Sequence, residues 1–560
     1  MPDDALSSIF STHDQSFPLS EWNELSDGTD FTDMTVITDL WRSDESSSHP
    51  ESSSAETVSD ALPSGQQENE GSRDSISGTN AAPGFDAEIP TTIVSEALFP
   101  VDLAVPPFFV DLKSEYVKIS GCQQQELSKA LKKLTTADFS TSFYNKFKDE
   151  DRDEHSVCHG QEFSQQCIEA CYSDPRGIGL LLDRKLVEDI FRQEQIQEKL
   201  DPASLALVNA VLAVGAHSLN FQGNFNIQAT PLHNAPAFFE KALKLRHQLP
   251  SSEMSIRDLQ AFLTMLYFSV RTGSKMTSEL MMSATHCVQA LRLNNQGAIC
   301  RVYQTRADQA DAKRALCFLY SIEMPYCLRY RIFPLLNWDS VDYVQPDVSL
   351  PNQLTDWLSI QYQYSLLCST IIRNLYGQTI PRRPQSEKFE HALSVWKDEL
   401  PLLRDSTGKI AHDYLSMSSL ERKLQLGTLF QYHEALITMF MGRTETNSLP
   451  LGLSDINQSQ KDEICLSSAR EVLTVSCHIS TADVHENWSL YYLVCLATYV
   501  IFVFIIRQPS CREDFSYLGM ALGFFGRLSL DAEVPFEEVT ELCKIAWEAG
   551  KDYSLKDKQK

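Results

Sequence analysis

From residue 201 onward the apolar side chains recur at three- and four-residue steps and strand-like alternation is scarce. Such a chain can bury its apolar surface only as helices packed on helices. Asp201-Pro202 supplies a cap and a first-turn proline, after which Leu205, Val208, Leu212 and Gly215 continue one face. A further helix opens at Ser255, whose hydroxyl is placed to cap the amide near Asp258. Ile256, Leu259, Phe262, Leu263, Leu266, Tyr267 and Val270 follow it as a stripe that must face a core. Similar patterns occupy 278–293, 312–331, 357–376, 388–400, 418–441, 464–479, 488–507 and 537–549, with breaks at Pro346, Pro351, Gly377, Pro401 and Pro509. The expected class is all-α, a multi-helix domain over 201–550.

The first 100 residues obey another rule. They carry twenty Asp and Glu against Arg42 and Arg73, so eighteen of the chain's formal −27 charges lie there, among many Ser, Gly and Pro. A segment of this kind buries too little apolar surface to offset its ordering entropy, and disorder is expected over 1–100. Its apolar residues are nonetheless clustered: Phe17, Leu19, Trp22, Leu25, Phe31, Met34, Ile37, Leu40 and Trp41 punctuate the acids between Asp14 and Glu45. Repulsion among the carboxylates keeps such aromatics solvated until a partner groove takes them, the pattern of an acidic activation segment; a solubilising tail is the alternative. Ser46 to Ser48 and Ser52 to Ser54 add phosphorylatable positions. Residues 101–200 are expected to hold a mixed linker and the first helices.

Several function classes fall away on composition. The fourteen cysteines run from Cys122 to Cys543 without a single C-x-x-C pair, and no secretory or transit signal opens the chain. This points to a reducing compartment, cytosol or nucleus. Leu490 to Ile506 is uncharged and just long enough for a bilayer span, but three tyrosines and a threonine lie inside it, and a helix buried in a bundle reads the same way. No membrane role is expected. Lys129, Lys132 and Lys133 make too small a basic face to imply nucleic acid, and the acidic start is repelled by phosphates.

The common catalytic patterns are missing too. Tyr432-His433-Glu434 begins H-E-x-x-H, but Ile437 takes the place of the second histidine. Gly177-Ile178-Gly179 lacks the third glycine and preceding strand of a dinucleotide loop. His155, Cys158, His159, Cys167 and Cys171 are the densest candidate ligands, with gaps that fit no common zinc module. His217, His233, His286 and His433 stand singly and read as hydrogen-bonded core or surface residues. No metal and no cofactor are expected.

The helical pieces arrive in an order that resembles the fungal-specific transcription factor domain, the regulatory region found behind zinc-cluster DNA-binding modules. They are Leu205-x-x-Val208-Asn209-Ala210-Val211-Leu212-Ala213-Val214-Gly215-Ala216, then Ala237-Phe238-Phe239-x-x-Ala242, then Leu259-Gln260-Ala261-Phe262-Leu263. Ala284 to Asn294 is similar to the family's helix ending in a Leu-Gly-Leu turn, with Arg292 in the glycine's place. Lys313-Arg314 followed by Ala315 to Glu323 resembles the family's basic pair, aromatic helix and closing acid; Cys317 stands where tryptophan is usual and Arg331-Ile332-Phe333 replaces a Gly-Arg-Pro turn. Val395 to Arg404 and Tyr432 to Ile437 complete a likeness that covers about 200 to 545.

The resemblance implies a transcriptional regulator rather than an enzyme, nuclear and shuttling with the cytoplasm, that serves a biosynthetic gene cluster or nutrient use. The family's six-cysteine zinc cluster has no counterpart in these residues, which argues against direct DNA binding and for a coactivator or a DNA-bound transcription factor, such as a zinc-cluster relative, as partner. Homo- and heterodimerisation both stay open, and an all-α enzyme or small-molecule binder is the alternative. The aromatic and aliphatic residues of the acidic segment are the expected partner contacts. Arg314, Phe318, Tyr320, Glu323, Arg329 and Arg331 mark a candidate effector or regulatory helix, whose charges otherwise serve as ion pairs that fix helix packing.

Overall fold

The computed structural model describes residues 161–195, 200–221, 235–249, 254–330, 332–338, 341, 352–376, 386–398, 417–441, 455–507, 513–530 and 536–557. All of them belong to one compact unit within 101–560. The acidic segment with its apolar residues from Phe17 to Trp41 lies outside the described residues, as do His155, Cys158, His159, His233 and Arg331.

Sixteen α-helices build the described part, and no strand occurs among the described residues. They are α1 (Gln161–Cys171), α2 (Arg184–Gln195), α3 (Pro202–Phe221), α4 (Ala235–Leu245), α5 (Ile256–Thr272), α6 (Thr277–Ala290), α7 (Gln296–Val302) and α8 (Arg306–Tyr330). After these come α9 (Asn352–Tyr376), α10 (Ser386–Asp398), α11 (Ser419–Met441), α12 (Asp455–Val475), α13 (Thr481–Glu486), α14 (Trp488–Arg507), α15 (Asp514–Leu528) and α16 (Phe536–Asp557). Three packing groups emerge. The first sets α1, α4 and α5 against α3; the second runs α8, α9, α10, α11; the third wraps α12, α15 and α16 around α14. Contacts of α5 with α8 and α14, of α11 with α8 and α14, and of α13 with α3 join them.

The helix starts follow the expected chemistry. Asp201 caps α3 by accepting from the Ser204 amide (2.9 Å) and hydroxyl (2.7 Å), ahead of a proline at the first helical position. At α5 the Ser255 hydroxyl accepts from the Asp258 amide while the Asp258 carboxylate accepts from the Ser255 amide, a reciprocal capping box. Ser480 and Asp483 repeat it at α13. Helix α8 runs through Pro325 without ending there, although the proline removes one amide donor from its ladder.

The helices α3 and α14 are apolar nearly all round, which is the signature of a helix surrounded by protein or lipid. Both pass a length and hydropathy test for a bilayer span, yet 78% and 83% of their apolar windows are buried inside the bundle. Their surface is therefore used on other helices. Close approach requires small residues: a Cβ on Gly215 of α3 would sit 2.0 Å from the Cys167 carbonyl oxygen of α1. Gly273 ends α5 in the left-handed region (φ 69°), where a Cβ would also stand 2.7 Å from the Trp488 ring of α14.

The turn after α6 explains the glycine that Arg292 displaces. The Leu293 amide donates to the Val288 carbonyl (3.0 Å) and the Arg292 amide to that of Gln289 (3.1 Å), closing the helix while Leu293 inserts fully into the core. This geometry places Arg292 at φ 53°, the one non-glycine residue with positive φ among the described residues. Arginine adopts the left-handed conformation at a cost of roughly 1–2 kcal/mol. Arg292→Gly is therefore expected to stabilise the chain by about 0.5–1 kcal/mol after glycine's own entropic cost, whereas Gly215→Ala destabilises it by about 2 kcal/mol or more. Equilibrium denaturation of the two variants checks both signs.

Candidate functional site

Where the three groups meet, five charged side chains from four parts of the chain form one array, with Glu486 buried and the other four half-buried. The segment between α1 and α2 supplies the first two. Its Gly177 amide donates to the Asp174 carbonyl (2.9 Å) and its Arg176 amide to Asp174 Oδ1 (2.9 Å), a turn that sends both side chains into the protein. Gly177-Ile178-Gly179 thus belongs to a turn and a short 3₁₀ helix, preceded by a helix rather than a strand.

Arg271, in the last turn of α5, takes the centre. Its Nη1 donates to Asp174 Oδ2 (2.8 Å) and to the Tyr267 hydroxyl (2.8 Å), its Nε to the Glu486 carbonyl (3.3 Å) and its Nη2 to Glu486 Oε1 (3.2 Å). The other oxygen of Glu486 accepts from Lys423 Nζ of α11. Arg176 lies 3.8 Å from Asp174, donates to the Lys423 carbonyl (3.4 Å), and covers the Trp357 ring at 5.9 Å. Gly427 makes room for it, since a Cβ there would stand 2.4 Å from its Nη1.

Burial opposes the charges of Asp174, Arg176 and Arg271, and the neighbours decide the outcome. For Asp174 burial pushes the carboxyl up, but Arg176 and Arg271 more than reverse it and hold it below the ordinary value. Arg271 gains more from Tyr267, Asp174 and Glu486 than burial removes. Arg176 does not: burial outweighs Asp174, and its proton is held less tightly than usual. Beside the array, His217 of α3 places Nε2 3.2 Å from the Glu486 carbonyl and is ringed by Phe221 and Phe268. Burial, with Arg271 adding to it, pushes this imidazole down to about 3, so it stays neutral across the physiological range.

A second buried pair lies on α8 and α11. Arg329 grips Glu434 through Nε (2.5 Å) and Nη2 (2.9 Å), and its guanidinium covers the rings of Tyr492 (4.9 Å) and Trp488 (5.9 Å) of α14. Glu434 therefore serves an ion pair and no metal, while the neighbouring His433, also buried, stacks edge-on with Tyr432 and faces Glu471 at 3.5 Å.

The described residues expected along α8 make the following contacts. Arg314 pairs with Asp311 one turn earlier. Phe318 meets Tyr267 of α5 at 6.0 Å between ring centroids, and Tyr320 packs against Trp338 (4.6 Å) and Tyr362 (5.7 Å). Glu323 corrects the ion-pair expectation. Fully buried, it accepts from the Leu335 amide (2.5 Å), the Leu336 amide (3.4 Å) and Trp338 Nε1 (2.8 Å), so its recorded partners among the described residues are N–H donors and no cation. The chain folds back after α8 far enough for those three donors to reach the carboxylate. Burial pushes the Glu323 carboxyl up to about 7 even so.

Cys317, in the usual place of a tryptophan, is a small buried filler. Burial pushes Cys167, Cys287, Cys317, Cys495 and Cys543 up to about 12 and raises Cys171, Cys327 and Cys368 as well, so these sulfurs are packing groups held as thiols and not ready ligands or nucleophiles. Among the described residues no three His, Cys, Asp or Glu side chains gather as a metal site. The array can fix helices relative to one another and attract charge. It offers no activated nucleophile.

His217 and Glu323 contribute to the pH dependence with opposite signs, each over its own window. Between the ordinary 6.5 of His217 and about 3 the unfolded chain binds a proton that the folded chain excludes, so the His217 contribution is full above that window and falls as pH falls through it. His217→Gln is expected to flatten this decline by up to one proton, about 1.4 kcal/mol per pH unit, in denaturation midpoints collected from neutral pH downward.

Comparison with known proteins agrees with the order of the helices. Residues 180–400 match the family model described as the fungal specific transcription factor domain. The chain is 32% identical over 424 residues to a fumonisin cluster-specific transcription factor of Gibberella moniliformis, covering 69% of this chain and 62% of that protein. It is 31% identical over 344 residues to an AAl-toxin cluster-specific transcription factor of Alternaria alternata, covering 58% and 51%, and 27% identical over 382 residues to a terrein cluster-specific transcription factor of Aspergillus terreus, covering 65% and 57%. The chain thus spans between half and two thirds of the length of these relatives. No solved structure matches it. The matching family and the relatives are transcription factors and not enzymes, which leaves the all-α enzyme alternative without support.

Proposed function

We propose that this chain, whose residues 180–400 match the fungal specific transcription factor domain, is a nuclear, pathway-specific regulator of a biosynthetic gene cluster that reaches DNA through a protein partner. The observation that carries the reading is the kind of relative found: three proteins, matched over 58% to 69% of this chain, are each cluster-specific transcription factors. The division of labour comes from the sequence. The acidic, aromatic-studded residues 1–100 have the chemistry of a recruiting segment, whose Phe17, Leu19, Trp22, Leu25, Phe31, Leu40 and Trp41 enter an apolar groove of a coactivator while the carboxylates keep them solvated beforehand. In this reading base contacts are left to a zinc-cluster relative. The helical domain then serves as the rigid body between the recruiting segment and that partner, with exchange between nucleus and cytoplasm as a further level of control.

Two measurements test this. Deleting the gene is expected to lower transcripts of one contiguous group of genes by tenfold or more, and unchanged transcripts across the genome would count against the reading. Residues 1–100 fused to an unrelated DNA-binding module are expected to activate a reporter, and alanine at Phe17, Trp22, Phe31 and Trp41 together to abolish that activity. An inert fusion would remove the recruiting role.

A further inference from the structure

The array is short of one charge. Its members alternate in sign along Arg176, Asp174, Arg271, Glu486 and Lys423, three cations against two anions. The bond from Arg176 Nη2 to the Lys423 carbonyl bends this series into a ring, so that its two ends, both cationic, are the residues brought together. Both carboxylates are already engaged on either side by Arg271 and a second cation. Asp483, three residues before Glu486, is itself engaged, capping α13 and facing Arg422 at 3.7 Å.

Arg176 shows the deficit atom by atom. Of its five side-chain N–H donors, one makes a hydrogen bond with the described residues, and that bond is long at 3.4 Å. Its Nε is buried without a hydrogen bond among them and faces Asp174 Oδ1 only at 3.8 Å. A guanidinium in this position is costly, because removing it from water forfeits hydrogen bonds that the protein does not return. Arg314 also keeps a buried Nε without a hydrogen bond, but it pairs with its own Asp311 and does not belong to an array with surplus positive charge. At the same time the site is reachable: the Arg176 and Lys423 side chains keep 14% and 22% of their surface in contact with solvent. The planar fork of Arg176, backed by Trp357, is the geometry that receives a carboxylate or phosphate through two parallel bonds, and Lys423 adds a point charge beside it.

We propose that an anion completes the ring, and that Arg176 and Lys423 together bind a small molecule carrying a carboxylate or phosphate group. Such a ligand ties the turn between α1 and α2 to α11, and so stiffens the junction of the first and second packing groups. It acts as a chemical signal to the helical domain. The binding step itself does not depend on how the chain reaches DNA; its regulatory meaning rests on the transcriptional reading.

The test uses the purified full chain at neutral pH, with sodium chloride, sodium succinate and sodium phosphate compared at one ionic strength. Thermal unfolding and isothermal calorimetry are expected to show a saturable effect of succinate or phosphate, with the two arms telling the carboxylate from the phosphate. Arg176→Gln is expected to abolish the effect and Lys423→Gln to weaken affinity at least about tenfold, while Lys185→Gln, an exposed lysine of α2, leaves it unchanged. If neither anion produces a saturable effect in the parent chain, or if Arg176→Gln and Lys423→Gln respond as the parent does, the proposal is wrong. Should Arg176→Gln not fold, the parent titration and Lys423→Gln decide the matter between them. A failure of binding leaves the reporter and transcript measurements untouched, and a failure of those leaves the anion site standing.

Discussion

Arg271 is the residue on which the three packing groups converge. It sits at the end of an apolar helix, where burying a guanidinium is unfavourable unless its donors are met. Three partners meet them: Asp174 from the turn after α1, Tyr267 one turn back on its own helix, and Glu486 from the short helix that precedes α14. Glu486 in turn holds Lys423 of α11. Hydrophobic burial supplies most of the favourable free energy of a bundle like this, but it is non-directional and tolerates many helix arrangements. Directed bonds through one arginine select among them, because any arrangement that separates Asp174 or Glu486 from Arg271 strands a buried charge.

The two apolar helices and this array depend on each other. Gly273 ends α5 immediately after Arg271 and Thr272, and its missing side chain admits the Trp488 ring at the start of α14. Trp488 then stacks on Tyr492, over which the Arg329–Glu434 pair lies. The charged groups are thus lodged at the ends of helices whose middles are apolar, where backbone carbonyls such as that of Glu486 are free to accept. The array holds these helices in fixed relation, and the family and relatives that the chain matches are transcription factors.

Much of the helical plan is legible from the residues alone. Ser255 and Asp258 announce the start of α5, the stripe from Ile256 to Val270 its buried face, and the uncharged run from Leu490 its companion α14. Periodicity says which face of a helix is buried, however, and not which buried charges meet. Asp174, Arg271, Lys423 and Glu486 are separated by 97, 215 and 63 positions across their contacts, so no local pattern joins them. The available hint was weaker: Arg271 and Glu486 both interrupt or border long apolar runs, where a charge needs a partner. Glu323 shows the converse limit, since a lone acid on an apolar helix reads as half of an ion pair until the returning chain is seen to present its amides. Arg292 shows a third, because the glycine it replaces is explained only by the positive φ of that turn.

The claim that Arg271 selects this arrangement is tested most directly by a double-mutant cycle on Arg271→Leu and Glu486→Leu, read by equilibrium denaturation. Each single substitution leaves a buried charge without its partner and is expected to cost about 3–5 kcal/mol, while the double substitution costs less than the sum by about 2 kcal/mol or more. Additive losses, with no coupling between the two positions, would contradict the account.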